Sequence, residues 1–350
     1  MPIIHQDSLQ TFCKALFLAA GVPDDEAEIV SRSLVDANLC GHDSHGVIRV
    51  PQYISFVRDK KLFCNVPLEK LHETAAIFSA DARWGLGQVQ SYRLLDILLP
   101  KAKSLGIAAG TMRRCGHIGR LGDYAEWAAQ RGMAFCATVN SHGSGQRVAP
   151  PGGTEGRLGT NPLCLGAPTP TDPLILDFAT SAAAEGKVRV ALQKGEKVPE
   201  GWLLDHRGQP STDPSVIYNE PRGTLLPFGG TQAYKGFGLS LLLDALAGGL
   251  SGGLCSRKDA PMAGIGNSVV FVLFDIEHLG GTKHFLEETG NLAAFVRSSP
   301  TAEGVAAITL PGDPERISKQ KRLAEGIPIA AGTWAQIIKV AAELNVPPLE

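Results

Sequence analysis

Between residues 75 and 139, short apolar runs alternate with stretches of helical periodicity, and this alternation constrains the fold more than any other feature. Ala75–Ala80 reads as a strand, Gln88–Ser104 as a helix and Gly106–Met112 as a second strand. Asp123–Arg131 follows as a helix and Met133–Val139 as a third strand. Leu174–Phe178 is a buried strand ending in Asp177-Phe178, Phe237–Leu250 an apolar helix, and Ser268–Phe274 a strong strand. Strands interleaved with helices imply an α/β core on a partly parallel sheet.

The flanks read differently. Leu9, Phe12, Leu16 and Phe17 share one face of a helix capped by Asp7 or Ser8 and stopped at Gly21-Val22-Pro23. Asp24 and Asp25 open a second helix, placed to complement its dipole, and Gly41 closes it. A third helix is expected over 48–61. Helical patterns return at Phe285–Val296, Glu315–Glu325 and Thr333–Leu344. The division expected is an N-terminal helical segment (1–74), an α/β core (75–280) and a C-terminal helical segment (281–350) that packs with the first. The Gly- and Pro-rich stretch 141–173 is too long for a simple linker and is expected to be a functional loop.

Composition narrows the classes. A net charge of −2 without basic blocks gives no general affinity for nucleic acid or anionic membrane. No apolar run approaches the length of a membrane span, and the N-terminus lacks a secretory pattern. Seven scattered cysteines without a Cys-x-x-Cys pair suit free thiols in a reducing, cytoplasmic setting.

Chemistry can reside in five places. Gly41-His42-Asp43-Ser44-His45-Gly46-Val47-Ile48-Arg49 joins two helices. His45 can exchange a proton near neutral pH, and Arg49 can grip a carboxylate with two prongs. The alternative is a capping loop with surface histidines. Gly116, Gly119 and Gly122 lie between a strand and a helix, where amides can bind phosphate. Their spacing of three is not Gly-x-Gly-x-x-Gly, so a Rossmann fingerprint is excluded. Asp177 can accept a ribose hydroxyl, orient a histidine or cap the next helix. Lys235 can meet a phosphate or simply be solvated, and Leu310–Glu315 is a turn opening a basic helix. Zinc-ligand spacing is absent around Cys40, His42, His45, Cys115 and His117, so no metal is expected, and no nucleophile elbow is present.

These motifs in this order resemble the type-2 malate/L-lactate dehydrogenase family, with its L-sulfolactate dehydrogenase-like fold. Carrying the likeness are Gly41–Arg49, Gly116–Gly119, Gly159-Thr160-Asn161-Pro162, Leu176–Ser181, Lys235-Gly236-Phe237 and Pro311-Gly312-Asp313. Ala37-Asn38-Leu39 and His117–Arg120 read most like its hydroxycarboxylate dehydrogenase B subgroup. The resemblance implies a homodimer with a non-Rossmann, mixed-sheet dinucleotide-binding core and an outer helical layer from both chain ends. It implies hydride transfer between NAD or NADP and a small 2-hydroxy or 2-oxo acid. His45 and His117 then match candidate acid/base groups, and Arg49 the carboxylate clamp. Gly119, Arg120, Leu121, Ile175, Leu176, Asp177, Phe178, Ala179, Lys235, Gly312 and Asp313 match dinucleotide contacts. Pro311-Gly312-Asp313 departs from the commoner Pro-Gly-Glu. Reduction of a cyclic imino acid and dinucleotide binding without turnover remain the alternatives.

Overall fold

The structure, a computed structural model, describes residues 1–260 and 266–349. A short strand β1 (Ile3–Ile4) precedes α1 (Gln6–Ala19), which buries Leu9, Phe12, Cys13, Leu16 and Phe17 on one face. In α2 (Asp24–Leu39) Pro23 takes the capping position and the acids fall inside the first turn. The third helix does not begin at 48. Two tight 3-10 turns, Asp43–His45 and Val47–Arg49, come first, and α3 runs only over Val50–Arg58. The extended backbone of Gly46 breaks the helix there, and Pro51 suits the new start.

β2 (Glu69–Glu73) and β3 (Ile77–Asp81) form a hairpin whose first strand the sequence hid, because every residue of Glu69–Glu73 is exposed and none alternates. α4 (Gly87–Leu105) and β4 (Ile107–Gly116) follow, the strand running on through Cys115 and Gly116. Gly116 is therefore part of a strand rather than of a turn. Next come α5 (Leu121–Ala129), β5 (Met133–Asn140), β6 (Leu163–Ala167) and β7 (Leu174–Phe178). β6 lies inside the stretch expected to be a loop. Its short run gains its strand identity from pairing with β5 and β7 on both sides.

α6 (Glu185–Lys194), β8 (Leu203–Leu204), β9 (Pro210–Ser211) and β10 (Thr224–Leu225) build a small lobe around Val148, Val188, Leu203 and Leu225. α7 spans Ala233–Ala245 and passes into a π turn at Leu246–Leu250. β11 (Gly266–Asp275), α8 (Ile276–Leu279), α9 (Thr282–Arg297), α10 (Asp313–Glu325), β12 (Ile327–Pro328) and α11 (Ala331–Glu343) complete the chain.

Seven strands form the central sheet in the order β2-β3-β4-β11-β5-β6-β7. Only β3 and β4 pair in parallel, and β11 inserts antiparallel between β4 and β5. The mixed sheet of the expectation is thus present, with less parallel pairing than the alternation suggested. α4 and α5 cover one face, burying Leu94, Leu98, Met112, Tyr124, Phe135 and Phe271. On the opposite face, Ile77, Ala109, Val272, Cys136, Leu165 and Leu176 line up in register across six strands. Of these, Ile77 (45%), Leu165 (42%) and Leu176 (37%) are open to solvent.

The two chain ends share a core. Leu9, Phe12, Val30 and Leu34 pack with Ile327, Ile329, Ile337 and Ala341, and β1 pairs with β12. α10 and α11 supply the C-terminal share of that layer, whereas α9 lies against the 168–170 loop through Thr289 and Gly290. Among the described residues no helix is long and apolar enough to cross a membrane.

Candidate active site

The loop after α2 is built to be stiff. Asn38 accepts the Val47 N–H at 2.7 Å and donates to Asp43 at 2.6 Å. A Cβ on Gly46 would stand 2.1 Å from the Asn38 Oδ1, so glycine is required where the loop crosses the helix end. Arg322 of α10 grips Asp43 from the other side, at 2.6 and 3.2 Å. Both chain ends therefore hold His45 in place.

His117 enters from the end of β4. Asn267 of β11 accepts the neighbouring Ile118 N–H at 3.0 Å, and Tyr53 of α3 reaches the His117 Nδ1 at 2.6 Å. The rings of His45 and His117 stack, with centroids 5.5 Å apart and planes 19° from parallel. Arg49 lies beside them, its Nε donating to the Ser44 carbonyl at 2.8 Å and one terminal nitrogen to Gln52 at 2.9 Å. No carboxylate pairs with Arg49 among the described residues. The three groups predicted to do chemistry thus meet in one place, as a cationic cluster lacking a counter-charge.

Electrostatics follow from that arrangement. Burial, then the charges of Arg49, His42 and Arg120, pushes His45 down to about 3. Burial, Arg49 and His45 likewise hold His117 well below the usual histidine range. Both imidazoles are neutral until an anion arrives to change the balance.

A pocket of about 290 Å³ lies beyond the 117–121 segment, its wall including Arg120, Ile175, Asp177, Gly312, Glu315 and Lys319. The histidines and Arg49 are not in the wall of this recess. Arg120 is buried, pairs with Asp36 at 3.0 Å and Glu126 at 2.9 Å, and keeps a buried Nε without a partner. Asp177 does not cap the following helix. Its carboxylate accepts the Gly122 N–H at 2.8 Å and so caps α5 across space. Burial raises this carboxyl above its ordinary range. Pro311 accepts the Ile175 N–H at 3.1 Å on the free edge of β7, which brings Gly312 to the pocket. Gly312 has φ +94°, and a Cβ there would crowd Arg316. Glu315 joins His42 at 3.1 Å, linking the pocket to the His45 loop.

The remaining expected cofactor residues are spread more widely. Gly119 takes the left-handed conformation at the turn, and Leu121 is buried in the sheet core. Leu176 faces outward, and Phe178 meets Phe228 edge-on at 5.6 Å, with Ala179 next to it. Lys235 is exposed on α7 with its ammonium 5.8 Å from the Tyr234 ring centre. Asp313 spends its carboxylate on Leu310 N–H, Arg297 and Arg316, forming a clasp at the start of α10. Arg113 and Arg114 are both committed to Asp81, at 2.8 and 2.9 Å. Tyr53, Gln88 and Asn267 escaped the sequence reading, while Asn38 and Glu315 stood in it only as part of a family motif and of a turn. Only Tyr53 carried a signal, lying one helical turn after Arg49.

The fold is a non-Rossmann α/β fold in which two histidines stack beside an arginine that has no carboxylate partner among the described residues. The malate/L-lactate dehydrogenase family model matches residues 4–338, and the chain belongs to that family. Hydroxycarboxylate dehydrogenase B of Escherichia coli O157:H7 is 36% identical over 345 residues, 97% of this chain and 94% of that one. The Δ1-pyrroline-2-carboxylate reductase of Ancylobacter novellus is 32% identical over 343 residues, covering 94% of each. The solved malate dehydrogenase of Pyrococcus horikoshii superposes with a TM-score of 0.90 at 31% identity, covering 99% of this chain and 97% of that one.

Proposed function

We propose that this chain interconverts a small 2-hydroxy acid and its 2-oxo acid with NAD or NADP as hydride carrier. The observation that carries this reading is the cluster of Arg49, His45 and His117, which among the described residues has no carboxylate paired with Arg49 and therefore suits a substrate one. The pocket residues fit a dinucleotide: Arg120 keeps an orphaned buried Nε there, and Gly312 leaves space that a side chain would fill. The bound nicotinamide supplies hydride exchange at C2. Arg49 binds the carboxylate by its free edge and turns C2 toward the recess. His45 takes the hydroxyl proton during oxidation, as the C2 hydride leaves and the C=O bond forms, and returns it during reduction. The arriving carboxylate raises the proton affinity of His45 toward the range where such exchange is efficient.

A cyclic imino acid presents the same carboxylate beside a C=N bond, and the likeness to a pyrroline carboxylate reductase favours it as the second reading. Offering NADH and NADPH separately against 2-oxo acids and cyclic imino acids, and following nicotinamide absorbance, decides between them. Turnover of imino acids alone would overturn the first reading.

We also propose a homodimer. The open apolar row runs from Ile77 to Leu176, and α7 with its π turn separately exposes Leu242 (64%), Leu241 and Leu246. An uncovered apolar sheet face of this extent suits a second copy across a two-fold axis.

A further inference from the structure

His117 sits at the end of a chain of donors. Tyr53 is almost wholly buried, and burial pushes its phenol up to about 12, so the hydroxyl keeps its proton. That oxygen is 2.6 Å from the His117 Nδ1. The Gly119 amide N–H points at the same Nδ1 at 3.3 Å, and an amide N–H can only donate. Gln88, fully buried near the start of α4, donates its Nε2 to the Tyr53 oxygen at 3.3 Å. Its amide thereby occupies the phenol as an acceptor, and of the two acceptors within the phenol's reach, Nδ1 at 2.6 Å lies nearer than the His117 carbonyl oxygen at 3.3 Å and takes the proton. Two donors converge on Nδ1, so a neutral ring carries its proton on Nε2.

The surroundings agree. Arg49, from the turn before α3, and His45, across the ring stack, are the charged or titratable groups that bear on His117, and both disfavour a cation. His45 differs in one respect. The neighbour of its Nδ1 is the Ser44 hydroxyl at 3.0 Å, which can turn to donate or accept. His45 can therefore gain and lose a proton without leaving a donor facing a donor.

We infer that Gln88 and Tyr53 are positioning residues that lock His117 in its Nε2–H form, making it a fixed hydrogen-bond donor to the C2 oxygen while His45 alone moves the proton. The inference rests on the dehydrogenase reading for its catalytic meaning, although the tautomer itself does not. A neutral imidazole N–H aimed where negative charge develops stabilises it without a proton transfer of its own.

Gln88→Glu tests this sharply, because its carboxyl offers the Tyr53 hydroxyl an acceptor where the amide offered a donor. It would turn the Tyr53 hydroxyl away from Nδ1, moving the His117 proton to Nδ1 and removing the donor from the substrate side. Tyr53→Phe, which keeps the ring and its packing, removes the hydroxyl if the glutamate variant fails to fold. The readout is long-range nitrogen–proton correlation NMR of histidine-labelled full-length protein, without substrate or cofactor, at neutral pH. The expected wild-type pattern is Nε2–H for His117. The Nδ1–H form should dominate in Gln88→Glu and gain a share in Tyr53→Phe, where only the longer Gly119 contact at 3.3 Å still opposes it. With the substrate found in the screen, kcat of Gln88→Glu should fall by roughly 10²–10³ with KM little changed. A wild-type His117 that is charged or already Nδ1–H would overturn the inference, as would Nε2–H retained in every folded variant. Because the spectrum needs no turnover, failure of the dehydrogenase reading would leave the tautomer pattern standing and show itself separately in the substrate screen.

Discussion

His45 and His117 stack with ring centroids 5.5 Å apart, one held in the turn that follows α2 and the other just beyond the end of β4. Burial and Arg49 raise the cost of charging either ring, and His45 adds to that cost at His117. Two imidazoles kept neutral beside one cation are poised for an anionic substrate.

Replacing His45 by Gln should lower kcat by roughly 10²–10⁴, the usual contribution of a positioned acid/base group. Binding of the 2-oxo acid, followed by calorimetry, should persist because Arg49 is untouched. Turnover at the wild-type rate would remove His45 from the proton path.

Arg49→Lys keeps the charge and loses the fork. The lysine also cannot reproduce the paired contacts to the Ser44 carbonyl and Gln52. A fall in kcat/KM of roughly tenfold to a hundredfold is expected, carried mainly by KM. Steady-state kinetics with the carboxylate substrate and with its amide would separate the cases, since the amide should gain nothing from Arg49.

Acid should destabilise the protein through His45. The unfolded side chain takes a proton near 6.5, the folded one only near 3. Between those values the unfolded chain binds more protons, so stability is full above about pH 6.5 and is lost progressively as pH falls toward 3. Melting temperatures measured across that window should decline less steeply in His45→Gln than in the wild type. Parallel curves would show that His45 charges freely in the folded state.

Asn38→Ala leaves the buried Val47 N–H without its acceptor and leaves Asp43 held by Arg322 alone. A loss of about 1–3 kcal/mol is expected in urea unfolding. Activity should drop further than stability does, because the loop that carries His45 loses its internal brace. An unchanged unfolding midpoint would place the rigidity elsewhere, in Arg322.

Leu165→Arg puts a charge into the open row on the sheet, between Cys136 and Leu176. Light scattering on a sizing column should show a dimer for the wild type and a monomer for the variant. A monomeric wild type at micromolar concentration would end the homodimer proposal.

Much of this was legible in the residues alone. Helical spacing in 9–17 and 24–39, apolar runs at 107–112 and 268–274, and glycines at the wrong spacing for a Rossmann turn are local facts. The connection with His45 and Arg49, one turn apart, is local too. These signals survive in sequence because neighbouring residues share a periodicity that burial imposes on one face.

Tertiary structure decided the rest. β6 is a strand only because β5 and β7 flank it, and β2 shows no alternation because it lies exposed at an edge. Asp177 caps α5, a helix far back in the chain, rather than the one that follows. Tyr53 and Gln88 meet His117 because α3 and α4 converge on the end of β4. Such contacts depend on strand register and on how helices cross. Both are fixed by packing among residues distant in the chain, which leave no shared period in the sequence to be read.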